Sequence, residues 1–136
     1  MNEVLAGALT GIVMSLYCLG IGALALPRLS RATIYRRLLP PGTHATLLFL
    51  IIAVAVPPIW LFLGTMSGIG YRVVAARFVE GGLGSPNVVY TVGVIAVAAA
   101  LCLLLSLLWR SAFRYWLALA LGMAAAFGWL LPWLAQ

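Results

Sequence analysis

The sequence predicts an all-α fold: a polytopic membrane protein with four transmembrane helices and two short interfacial helices in the connections. Three observations predict it. Of 136 residues, 65% are apolar and only 7% charged, against about a quarter charged in an ordinary soluble domain. The charged residues are eight arginines and two glutamates, and they cluster between long uncharged stretches. Those stretches show no alternation of polar and apolar residues, which a transmembrane β-strand would need. A soluble domain of this size cannot bury so much apolar surface. A disordered chain and a disulfide-rich module are excluded on the same composition.

A spanning helix needs about 20 apolar residues to cross about 30 Å of hydrocarbon. The spans fall at about 4–26, 45–67, 88–109 and 115–135, and no charged residue lies inside one. Together they make a single domain covering 1–136. The first span begins after an acidic head, Met1-Asn2-Glu3, which reads as a retained helix rather than a basic secretory signal. Pro27 is expected to end it. Pro40-Pro41-Gly42 makes a turn, and Thr43 is the expected N-cap of the second span. Gly81-Gly82 breaks the second connection, and Ser85-Pro86 has the pattern of an N-cap and first helical residue for the third span. The last connection, Arg110 to Arg114, is short enough to force spans three and four into an antiparallel hairpin.

Orientation follows from the arginines. Arg28, Arg31, Arg36 and Arg37 lie in connection one, and Arg110 and Arg114 in connection three. The opposite side has Arg72 and Arg77 against Glu3 and Glu80. By the positive-inside rule, the arginine-rich connections face the cytoplasm. The expected location is a bacterial-type plasma membrane with both termini outside. Six of the eight arginines are thereby assigned to topology or lipid phosphates, so the net charge of +6 is no signal for nucleic acid.

Two connections carry helical patterns of their own. In Leu29–Leu39, Ile34, Tyr35, Leu38 and Leu39 gather on one side, although Arg31 intrudes. In connection two, Tyr71, Val74, Ala75 and Phe78 follow the spacing of one apolar helix face. Both are expected to lie in the headgroup layer. Trp109, Tyr115 and Trp116 mark one interface, and Tyr71, Tyr90, Trp129 and Trp133 the other.

Within the spans, small residues recur at helical spacing. Gly7, Gly11, Ser15, Cys18, Gly22 and Ala25 form one stripe on span one. Span four has Ala118, Gly122 and Ala126 on one face, and span two ends in Gly64-xxx-Gly68. Such stripes admit close helix packing, inside the chain or with a partner. The expected packing and partner contacts are Gly7, Gly11, Ser15, Gly122 and Ala126. Pro57-Pro58, midway along span two, removes two backbone donors and should kink the helix. A break there, with Trp60 and the polar atoms of Ser15 and Tyr17, is the place for a pore or substrate site if one exists.

The spans contain no ionisable residue of the kind that marks proton relays. There is no CxxC, GxSxG, HExxH or P-loop, and the carboxylates do not cluster. His44, at the start of span two, is the one candidate ligand for a pigment or haem, and no cofactor is otherwise expected. Cys18 and Cys102 are expected to be buried thiols. The leading expectation is a non-catalytic accessory or structural subunit of a larger membrane complex, with the lipid bilayer and other membrane subunits as partners. The alternative is a small homo-oligomeric transporter or channel for an uncharged or anionic substrate, centred on Pro57-Pro58.

Overall fold

A computed structural model describes residues 2–29, 40–42, 44–77 and 87–135. All its regular elements are helical: α1 Glu3–Leu29, α2 Ala45–Arg77, α3 Val88–Leu108, a 3-10 turn Arg110–Ala112, α4 Phe113–Ala125, a π turn Ala126–Leu130, and α5 Leu131–Ala135. Four helical segments are long and apolar enough to cross a membrane, the fourth being the run Arg110–Ala135; we call it span four.

The boundaries differ from expectation where packing outweighs local signals. Pro27 does not end the first helix, which runs on to Leu29; so near the C-terminus the missing N–H costs one ladder bond. The second helix is longer than expected. Residues Tyr71–Arg77, expected as a separate interfacial helix, continue α2 without a break. Neither Gly64 nor Gly68 interrupts it, because both are buried against α1, and tertiary packing overrides glycine's poor helix propensity. At 33 residues, α2 is about 50 Å long. Phe78, Glu80, Gly81-Gly82 and Ser85-Pro86 lie outside the described residues. So do Thr43 and residues 30–39 of connection one, with Arg31, Arg36 and Arg37.

The cap of α3 is Asn87, whose side-chain oxygen accepts from the Tyr90 N–H at 3.3 Å. The turn at Pro40-Pro41-Gly42 is present, and Gly42 has φ +102°, a left-handed conformation that glycine adopts without steric cost. His44 starts α2, its carbonyl accepting from Leu47 and Leu48. Connection three is the expected tight hairpin, where the Trp116 indole N–H donates to the Trp109 carbonyl at 3.3 Å.

The most intimate contact is between α1 and α2, which pack antiparallel. Gly7 and Gly11 of α1 face Gly64, Gly68 and the Trp60 backbone of α2. A Cβ on any of the four glycines would overlap a backbone carbonyl oxygen across the seam. Span four packs on α1 and on α3, whereas α2 and α3 scarcely meet. The four spans thus form a bundle with three packed seams and one open one. The core lies where α1, α3 and span four converge, around Met14, Tyr90, Ala126, Phe127 and Leu131.

Candidate functional site

The open seam between α2 and α3 is a groove with a volume of about 470 Å³. Its floor is supplied by Phe127 and Met123 of span four, its walls by α2 and α3. Trp60 stacks on Phe127, ring centroids 6.0 Å apart and planes 20° from parallel. Toward the end of the bundle that carries Asn2 and Asn87, two hydroxyls join the apolar lining. Ser67 Oγ and the Tyr90 hydroxyl lie 2.6 Å apart, and Tyr71 sets its ring edge-on to Tyr90, centroids 5.1 Å apart. The extension of α2 past Gly68 is what carries Tyr71 to this place.

The shape of the floor has a local cause. Pro132 has no N–H, so the helix cannot close its normal bond onto the Gly128 carbonyl. The backbone widens into the π turn Ala126–Leu130, and the Gly128 carbonyl instead accepts from the Thr91 hydroxyl of α3 at 3.0 Å. This cross-helix bond ties α3 to the widened turn that carries Phe127. Thr91→Val should cost about 0.6 kcal/mol, the mean for such bonds between membrane helices. In a Pro132→Ala background the carbonyl regains its own helix partner and the cost should fall toward zero. Thermal unfolding of the four variants in detergent measures the cycle, and equal costs in both backgrounds would reject the link.

A second groove, about 420 Å³, lies between α1 and span four, lined by Tyr17, Gly122 and Trp129 among others. The Tyr17 ring covers Gly122, where a Cβ would run into it, and the Tyr17 hydroxyl donates to the Ala118 carbonyl at 2.8 Å.

The other residues singled out from the sequence are placed as follows. Gly7 and Gly11 lie in the α1–α2 seam of the chain itself. Ser15 is buried and donates to the Ile12 carbonyl at 2.9 Å within its own helix. Ala126 belongs to the core. The small-residue stripe is thus used largely inside the chain, although a Cβ at Gly22 would meet nothing within 4 Å. Pro57 is half-buried and Pro58 exposed. Helix α2 runs through both without an unwound residue, and of that group only Trp60 lines the 470 Å³ groove. Neither Ser15 nor Tyr17 lines that groove. His44 is exposed at the opposite end of the bundle from the hydroxyl pair. Among the described residues, no three His, Cys, Asp or Glu side chains are close enough to hold a metal ion. Both cysteines are free thiols, Cys18 half-buried and Cys102 buried. Arg110 and Arg114 are exposed at the end where α1 terminates with Arg28, and Arg72 and Arg77 at the other.

Ser67, Gly93, Thr91 and Phe127 had no functional signal in the sequence, and Tyr90 had only that of an interface aromatic. Pro132 was the one available clue, as a proline inside an otherwise uniform span.

The architecture defines a class: among the described residues, an all-helical bundle with four helices long and apolar enough to cross a membrane. Within that class, the chain matches no protein-family model, no curated protein and no solved structure.

Proposed function

We propose that the chain is a non-catalytic accessory subunit of a larger complex in a bacterial-type plasma membrane, with both termini outside. The observation that carries this reading is the unequal burial of the four spans. In the most apolar windows of spans one and four, 33% and 28% of residues are buried. In those of α2 and α3 the shares are 6% and 11%. Outside their seams with α1 and span four, these two helices face the surroundings, and exposed leucines and valines such as Leu50, Val54, Leu103 and Leu107 cover those faces. These faces, rather than the glycine stripe of α1, are where helices of other subunits would pack. Arg28, Arg31, Arg36, Arg37, Arg110 and Arg114 would then lie on the cytoplasmic side, reaching lipid phosphates.

The transport alternative has less support. A continuous α2 at Pro57-Pro58 leaves no unwound segment of the kind that transporters use for substrate or ions.

Gentle detergent extraction followed by native mass measurement tests the proposal. The expected result is a hetero-complex much heavier than the 14.5 kDa chain. An isolated dimer or tetramer that carries solute across liposome membranes would overturn it.

A further inference from the structure

We propose that the groove between α2 and α3 is a binding slot for one acyl chain of a glycerolipid, drawn from the leaflet on the side of the termini. The ester carbonyl of that chain is held by the Ser67–Tyr90 hydroxyl pair. The inference rests on the slot's dimensions, its depth and its hydrogen-bonding capacity, and does not depend on the accessory-subunit reading.

Along α3 the slot extends from Val89 to Leu101, roughly 18 Å at 1.5 Å per residue. Spread over that length, 470 Å³ gives about 26 Å² of cross-section for the centres of atoms, so the slot is about 8 Å across once an atomic radius of about 1.4 Å is added on each side. A helix with its side chains is about 10–12 Å wide and does not enter. Carbon atoms in contact lie about 4 Å apart, so a single file of methylene groups fits. Gly93 keeps the slot open at its middle: among the described residues, a Cβ there would meet nothing within 4 Å.

Depth selects the ligand. Tyr90 stands three residues past the cap Asn87, about 4.5 Å into a helix of 21 residues. The length of that helix, about 31 Å, matches the hydrocarbon thickness, so with α3 spanning that layer Tyr90 lies just below the headgroups. From there the slot runs inward for about the hydrocarbon depth of one leaflet, half of about 30 Å. A glycerolipid has its ester carbonyls at that level and an unbranched chain below them.

The hydroxyl pair matches such a carbonyl. Ser67 and Tyr90 carry two hydroxyl hydrogens between them. Either hydroxyl can donate in the 2.6 Å bond. When Ser67 donates it, the Tyr90 hydrogen has the Ser67 carbonyl at 3.5 Å, at the far limit of hydrogen bonding. An acceptor in the slot gives that hydrogen a better partner, in surroundings where an ill-satisfied donor is costly.

The test uses the full-length protein in a neutral detergent with added palmitoyl-oleoyl phosphatidylethanolamine, read by native mass spectrometry. The unsubstituted chain should retain one lipid. Gly93→Phe, whose Cβ meets nothing within 4 Å, should fill the slot and reduce retention by about tenfold or more, with an unchanged unfolding temperature. Tyr90→Phe should weaken retention about fivefold, the worth of one hydrogen bond. The dialkyl ether analogue of the lipid, which lacks the carbonyl, should bind the unsubstituted chain as weakly as the ester lipid binds Tyr90→Phe. That ester-against-ether comparison needs no variant. Equal retention by Gly93→Phe and the unsubstituted chain would overturn the proposal. So would equal binding of ester and ether lipids, displacement of the lipid by a branched polyprenol, or a cross-link from Gly93→Cys to a helix of another protein.

Discussion

Gly11→Ala is expected to destabilise the bundle by about 3 kcal/mol, the upper end for overpacking a site that cannot relax. The added methyl would overlap the Trp60 carbonyl oxygen, and that atom is fixed within the α2 backbone. Most overpacked cores recover by swinging a side chain aside. Here the opposing surface is backbone on both sides, so relief requires separating α1 from α2, and with it the Gly7–Gly64 and Glu3–Gly68 approaches. Gly64→Ala should behave alike. Gly20→Ala and Gly22→Ala are the controls: both residues belong to α1, and a Cβ at either meets nothing within 4 Å. Those substitutions should be neutral or stabilising by up to about 1 kcal/mol, because alanine is the better helix former. Unfolding by heat or by added denaturing detergent ranks the four variants. Equal behaviour of Gly11→Ala and Gly22→Ala would show that the seam is looser than described.

Phe127→Ala should cost about 3 kcal/mol, the low end for removing a buried phenylalanine. The low end applies because neighbouring lipid tails are as apolar as the core, so transfer from water contributes little between membrane helices. What remains is the cavity left behind and the lost dispersion contacts. Phe127 is 4% exposed, stacks on Trp60 and sits in the π turn, so its removal withdraws packing from α2 and α3 at once. The variant should lose the stacking signature of Trp60 in near-ultraviolet circular dichroism and keep its far-ultraviolet helical signal. Loss of both signals together would mean that the residue supports the helices themselves rather than their arrangement.

The four spans were legible in the sequence because each is a long uncharged run, and charge is costly in hydrocarbon wherever the neighbouring helices lie. Positions of helix ends were less legible. Pro27 and the glycines near the end of α2 are breakers by local propensity, yet both helices continue, α2 because α1 packs against Gly64 and Gly68. The stripe Gly7, Gly11 was visible as a packing surface, but spacing alone does not tell an internal neighbour from an external one. Gly64-xxx-Gly68 was seen as well, and the matching of the two pairs is a tertiary fact. Pro57-Pro58 drew attention as a chemical anomaly, whereas the groove is a matter of which two helices fail to meet. Its hydroxyl pair joins residues 67 and 90 across a connection, and Thr91 meets Gly128 only because Pro132 frees a carbonyl. Relations of that kind have no periodicity to read.

The glycine seam also bears on how the molecule is made. Every partner in it lies within residues 3–77, so the first helical hairpin has its full set of close approaches before α3 has been synthesised. The rest comes later: Phe127 and Tyr17 of span four and α1 reach partners on helices that are not their neighbours in the chain. The protein divides into an early half that assembles between consecutive helices and a late half that closes onto it. Ser67 and Tyr90 sit at the boundary between the two, so the mouth of the groove takes shape only once the second half has arrived.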